Sequence, residues 1–163
     1  FMRHLKQRGF RLSVDMQSFV RQVDAETGII RFKDVPGKRE IADLAEIVKL
    51  DIVEAEVLTG TRDMEKAAER VEEWGALETV LTASDGAFAR HKGKTYFRKF
   101  SNRSSHGRTG RGDTTTGAYL ARRIDHGVEE SLGFAVALAS IKMETPGPFR
   151  GTLQDVLARM SES

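Results

Sequence analysis

The sequence predicts an α/β fold built on a central, mostly parallel sheet, and three observations carry that prediction. Apolar residues recur at helical spacing in several separated stretches, short apolar runs suited to buried strands stand between them, and the two kinds alternate along the chain. Strands joined through helices need crossover connections, and crossovers make parallel sheets. The 163 residues suit one domain with a sizeable core, and no internal repeat or low-complexity segment is visible.

Taken in order, Phe1 to Gly9 reads as the last turns of an amphipathic helix closed by a glycine, and Phe10 to Asp15 as the strand after it. Asp15-Met16-Gln17 follows at that strand's carboxyl end, where open α/β sheets place ligand crevices; Asp15 equally suits the nucleus of a turn. Residues 24–37 read as a loop or small hairpin around Thr27-Gly28, with Ile29 to Phe32 as a short strand. After the turn signal Pro36-Gly37, Lys38 to Val48 carries Ile41, Leu44, Ala45 and Val48 at helical spacing. Leu50 to Gly60 changes period from strand to helix within a few residues. Asp63 to Trp74 is an amphipathic helix with Met64, Ala67, Ala68, Val71 and Trp74 on its core face. Glu78 to Thr82 is a buried strand, and Gly86 to Arg90 with Thr95 to Arg98 flank Lys92-Gly93-Lys94 as an antiparallel hairpin. A helix with Ala118, Tyr119, Ala121 and Ile124 follows, then a second from Val128 to about Lys142. Thr145-Pro146-Gly147-Pro148 stops it, and Thr152 to Met160 forms a last surface helix.

Chemistry concentrates in Gly107-Arg108-Thr109-Gly110-Arg111-Gly112-Asp113, directly before the helix with Ala118. The first backbone N–H groups of a helix have no intrahelical partner and carry the positive end of the peptide dipoles, so a phosphoryl group is favoured there. Asp113 has two readings. It can cap the helix, as aspartate commonly does. The glycine density favours the other, a carboxylate that takes a proton while neighbouring amides hold developing negative charge.

This stretch resembles the C-terminal signature of the ribokinase-like (PfkB) carbohydrate kinases, Asp-Thr-x-Gly-Ala-Gly-Asp-x-Phe-x-Gly-Ala, with Gly110, Gly112, Asp113, Gly117 and Ala118 matching. The resemblance implies that Asp113 is the catalytic base and that Gly110, Arg111 and Gly112 form an anion hole for the transferred phosphoryl group. Gly107 and Arg108 stand where the family usually has Asp-Thr, a pair associated with a monovalent-cation loop, and Arg111 replaces a small Ala. Those departures put potassium activation in doubt and offer Arg108 or Arg111 as the positive charge instead. Asp51 to Gly60 is similar to the family's Asn-x-x-Glu-Ala-Glu-x-Leu-Thr-Gly segment. There the resemblance implies that Glu54 orients the water shell of magnesium and phosphate, with Asp51 in place of the usual Asn. Leu81-Thr82-Ala83-Ser84-Asp85-Gly86 is a loosened form of the family's Thr-x-Gly-x-x-Gly turn, with Ala83 for a glycine, and would meet a nucleotide's ribose and phosphates. The helix from Val128 would lie against the adenine.

The resemblance thus implies a ribokinase-like three-layer sandwich, of which this chain would be the C-terminal, nucleotide-binding half, with ATP and Mg2+ as cofactors and a small sugar-like acceptor. The acceptor pocket would lie mostly outside the chain, so the fragment alone is expected to bind nucleotide weakly and to transfer no phosphate. An exposed sheet edge would invite self-association as a homodimer. Outside the kinase reading stand a nucleotide-binding or regulatory module without phosphotransfer and a nucleic-acid binder.

Composition sets the remaining bounds. With 39% apolar and 31% charged residues the chain is an ordinary globular composition, and no apolar run is long enough for a membrane span. There are no cysteines, so disulfides and thiolate metal sites are excluded, and the four histidines show no ligand spacing. No secretory signal pattern is visible at Phe1 to Lys6, and a cytoplasmic location is expected. Net charge is +2, but no Asp or Glu occurs from Gly86 to Gly112, where Arg90, Lys92, Lys94, Arg98, Lys99, Arg103, Arg108 and Arg111 all fall. That strip over 90–111 is the feature a nucleic-acid surface would use, and a solvated basic face is the plainer account of it.

Overall fold

The computed structural model describes residues 1–162. The chain runs α1 (Met2–Gln7), β1 (Ser13–Asp15), α2 (Gln17–Val20), β2 (Arg21–Val23), β3 (Ile30–Phe32), α3 (Lys38–Leu44), β4 (Ile47–Asp51), α4 (Ile52–Thr59) and α5 (Met64–Glu73). It continues through β5 (Glu78–Thr82), β6 (Gly86–His91), β7 (Lys94–Lys99), α6 (Arg111–Arg122), α7 (Val128–Met143) and α8 (Leu153–Ser161). The fold is α/β, with a mostly parallel five-stranded sheet in the order β1-β4-β5-β6-β7, and β2 and β3 form a separate antiparallel pair. Two compact units make up the chain: Phe1–Leu81 with Arg90–Thr95, and Thr82–Ala89 with the residues from Tyr96 onward.

In the first unit β1 pairs in parallel with β4, Ser13 opposite Ile47 and Asp15 opposite Lys49. All five residues of β5 are buried, as expected of a strand covered on both faces. Met16, Val20, Val48, Leu50, Ala55, Leu58, Ala67, Ala68 and Val71 fill the core beneath α4 and α5. Asp63 caps α5 by accepting the Lys66 N–H, and the left-handed Gly60 (φ 78°) closes α4.

In the second unit α6 packs on α7 and α7 on α8, around Tyr119, Leu132, Ala135, Val136, Ala139 and Val156. Thr152 and Asp155 form a capping box that starts α8. In the first unit, Lys92 (φ 50°) and Gly93 (φ 74°) are both left-handed and make the tight two-residue turn between β6 and β7.

Three local expectations change. The helix expected over Lys38 to Val48 ends at Leu44, Ala45 turns extended, and Ile47 and Val48 enter β4. Ala45 and Val48 fit helical spacing, but β-branched residues that pair with β1 gain more as a buried strand. Arg21–Val23 is a strand paired with Ile30–Phe32, where only the second was expected. Ile124 is 72% exposed, because α6 stops at Arg122 before reaching it. Among the described residues, no helix is long and apolar enough to cross a membrane.

Candidate active site

The glycine-rich stretch folds as a left-handed turn that opens α6. Gly110, at φ 78°, is the N-cap, a conformation in which a Cβ would be strained. Its carbonyl accepts the Thr114 N–H at 2.9 Å, and the Arg111 N–H is held by the Arg108 carbonyl at 3.2 Å. Among the described residues, the Gly112 and Asp113 N–H groups have no hydrogen-bond partner, and both residues reach solvent. They are a pair of donors at the positive end of a 12-residue helix.

Asp113 does not cap this helix. It lies within the first turn, three residues past the Gly110 N-cap, is exposed, and makes no side-chain cap hydrogen bond. Among the described residues its carboxylate has no partner, so it is free to accept a proton from a bound hydroxyl.

Arg111 is held in place. Its Nη1 donates to the Ser84 carbonyl at 3.3 Å, and its guanidinium lies 5.4 Å from the centroid of the Phe100 ring. Arg108 is exposed. Within the stretch expected to meet a nucleotide, Leu81, Thr82, Ala83 and Gly86 are buried and only Ser84 and Asp85 are exposed. The Ala83 N–H donates to Gly86, and the Asp85 carbonyl accepts the Phe100 N–H. A Cβ on Gly86 would stand 2.4 Å from the Arg98 carbonyl, so this glycine serves the approach of β6 to β7 rather than a ligand. Ser84 and Asp85 are thus the part of 81–86 that meets solvent.

In the first unit, Asp51 and Glu54 form a reciprocal capping box on α4. Asp51 Oδ1 accepts the Val53 and Glu54 N–H groups at 2.8 Å, and Glu54 Oε2 accepts the Asp51 N–H at 2.7 Å. The Glu54 side chain is 0% exposed and shares Arg21, at 3.3 Å, with Asp51. Lys49, itself buried, pairs with Asp15 at 3.0 Å and lies 4.0 Å from Glu54. Burial pushes the Glu54 carboxyl above the ordinary glutamate value, against the pull of the Asp51 N–H and Lys49. Magnesium is small, prefers octahedral oxygen and keeps much of its water. Glu54 has both oxygens engaged and no opening to water, and among the described residues no group of three His, Cys, Asp or Glu could hold a metal. These residues do not fit a directly ligated magnesium ion. Arg21 and Lys49, which complete this cluster, carry no local sequence signal; they arrive from neighbouring elements.

The fold and the free Asp113 beside unpaired amides can be set against known proteins. The family model for pfkB family carbohydrate kinases matches residues 20–154. The chain belongs to the PfkB family. Among solved structures, a pyrophosphate-dependent kinase in the ribokinase family, complexed with a pyrophosphate analog and myo-inositol, is 33% identical with a TM-score of 0.86. The match covers 96% of this chain and 56% of that one. A pyrophosphate-dependent myo-inositol-1 kinase converted into a myo-inositol-3 kinase is 32% identical over 99% of this chain and 56% of its own, with a TM-score of 0.85. The ribokinase of Arabidopsis thaliana, complexed with ribose and ATP, is 23% identical over 99% of this chain and 51% of its own, TM-score 0.77, a likeness of fold. This PfkB chain thus spans about half the length of the structures it matches. No curated protein matches it.

Proposed function

We propose that this PfkB chain carries the donor-side chemistry of a phosphotransferase acting on a hydroxyl of a sugar or cyclitol. The observation that carries the reading is the pair of unpartnered amides, Gly112 and Asp113, beside an unpartnered carboxylate at the start of α6. Asp113 takes the acceptor's hydroxyl proton, the freed oxygen forms a bond to phosphorus, and the bond to the leaving phosphate oxygen breaks. The amides and the dipole of α6 stabilise the charge that develops on the transferred group.

Two donors remain in play. Arg111 favours pyrophosphate: it puts a fixed cation beside the anion site, over the Ser84 turn where a nucleotide's ribose would lie, and the relatives at 32–33% identity are pyrophosphate-dependent by name. ATP, the donor expected from the sequence, is favoured by the exposed Ser84-Asp85 turn at the end of β5. Calorimetric titration with magnesium pyrophosphate and magnesium ATP decides. Pyrophosphate is expected to bind at least about tenfold tighter, a difference of about 1.4 kcal/mol, with Arg111→Ala erasing the preference. Tighter ATP binding overturns the donor assignment, and binding of neither overturns the phosphotransfer reading.

A further inference from the structure

Lysine is almost never fully buried without a partner, and Lys142, in the last turn of α7, is 5% exposed. Among the described residues, no carboxylate lies within ion-pair distance of it. Its ammonium instead donates to two backbone carbonyls of the phosphate loop, Gly107 at 2.6 Å and Thr109. A Cβ placed on Gly110, the N-cap of α6, would stand 3.9 Å from Lys142 Nζ, so the charge sits directly under the anion site. Two carbonyls converging on one point repel each other unless a cation or donor stands between them. The C-terminal end of the 16-residue α7 adds its own partial negative charge at the same place.

Gly107 shows why a side chain from the loop cannot do this work. Its N–H donates to the Met143 carbonyl at 2.8 Å, and a Cβ there would come within 1.8 Å of the Thr145 carbonyl oxygen. The backbone at 107 is pressed onto the end of α7, leaving no room for an acid that could fix the loop or recruit an ion. The neighbouring clamps are neutral or peripheral: the Ser104 hydroxyl on the Glu144 carbonyl, the Arg103 N–H on the Glu144 carboxylate, and the Ser101 N–H on the Ser140 hydroxyl. Among the described residues, only Lys142 reaches both the Gly107 and the Thr109 carbonyls.

We propose that Lys142 is a tethered cation that positions the Gly107–Gly110 loop for donor phosphates and makes the site independent of free monovalent cations. It is a positioning residue: it touches the loop and aims the Gly112 and Asp113 amides. The proposal rests on the donor-site reading for its consequence in phosphate binding, but not for the ammonium's structural place.

Thermal melting and calorimetric binding of inorganic pyrophosphate, in potassium, ammonium, sodium or tetramethylammonium chloride at about 0.1 M, test it. The wild-type chain is expected to melt at the same temperature and to bind pyrophosphate equally, within about twofold, in all four salts. Lys142→Ala is expected to melt lower and to bind pyrophosphate at least about tenfold more weakly, with both defects partly and saturably restored by potassium or ammonium but not by tetramethylammonium. Lys142→Arg should keep most of the affinity. Selective strengthening of the wild type by potassium, or wild-type affinity in Lys142→Ala, overturns the proposal. Should Lys142→Ala fail to fold, the wild-type salt series and Lys142→Arg still decide it. Absence of pyrophosphate and ATP binding by the wild type strikes the donor-site reading instead, and the melting series, which needs no donor, still tests Lys142.

Discussion

Asp113 and Glu54 are two carboxylates at the first turns of two helices, and their surroundings give them opposite characters. Asp113 is exposed and without a partner among the described residues, whereas Glu54 is sealed in a capping box beside Arg21. Asp113→Asn keeps the shape and removes the proton acceptor, so in an N-terminally extended version that carries the acceptor site phosphorylation of the acceptor should fall by about 10²–10⁴-fold, while pyrophosphate affinity, read by calorimetry, stays within about threefold. An equal loss of binding would make Asp113 structural. Glu54 predicts a pH effect of definite sign. Burial raises its pKa in the folded chain, so the fold prefers the protonated form. That preference is fully present below the unfolded value of about 4.3 and is lost as pH rises through the raised folded value. Glu54→Gln cannot ionise, so its melting temperature should gain on the wild type as pH rises through that window and level off above it. Glu144 works the other way: burial opposes ionisation, but Arg159 and the Arg103 N–H outweigh it and hold the carboxyl low, so its stability is lost toward acid. It is common to both proteins and cancels. A constant offset between wild type and Glu54→Gln from pH 4 to 7 would refute the buried-carboxyl account.

Elements show where the sequence could be read and where it could not. β5 was legible at both ends, Glu78 and Thr82, because five consecutive buried residues follow a clear helix stop. β4 was not, because Ala45 and Val48 satisfy helical spacing and only pairing with β1 decides between the two states. The anion loop was legible because glycines, an aspartate and a helix start are neighbours in sequence. Its support was not: Lys142 and Gly107 are 35 residues apart, and nothing local in either says that one binds the other. Arg21 likewise reaches Glu54 across 33 residues. Two helix-end predictions follow. Asp51→Ala removes the acceptor for the Val53 and Glu54 N–H groups and should cost about 0.5–2 kcal/mol in denaturant unfolding, whereas Asp51→Asn, still a good N-cap, should cost less than half of that. Equal losses would place the effect in the Arg21 ion pair rather than the cap. Gly107→Ala should cost about 1–3 kcal/mol, since its methyl meets backbone that cannot yield, while Gly117→Ala, in open space on α6, should be neutral or stabilising.

Across the whole molecule, the run from Gly86 to Gly112 holds eight Lys and Arg and no acid, which in sequence is the footprint of a polyanion surface. Folding changes its meaning. Arg90 pairs with Glu72 at 2.7 Å and with Glu69 at 3.9 Å, Arg98 with Glu129 at 2.6 Å, and Arg103 with Glu162 at 3.5 Å. Arg111 is turned onto Ser84 and Phe100. The acids missing from the strip are supplied by distant parts of the chain, so most of its arginines are already neutralised where they stand. Each phosphate contact by an unpaired cation contributes about −0.9 to the slope of log affinity against log salt. Four side chains, Lys92, Lys94, Lys99 and Arg108, have no ion pair among the described residues. Titration of a random-sequence DNA duplex by fluorescence anisotropy should therefore show weak, non-saturating binding at about 0.15 M salt, with a slope no steeper than about −3.6. Saturable binding with a slope near −6 or steeper would mean that the paired arginines open to nucleic acid, and it would revive the polyanion surface against the compact phosphate donor.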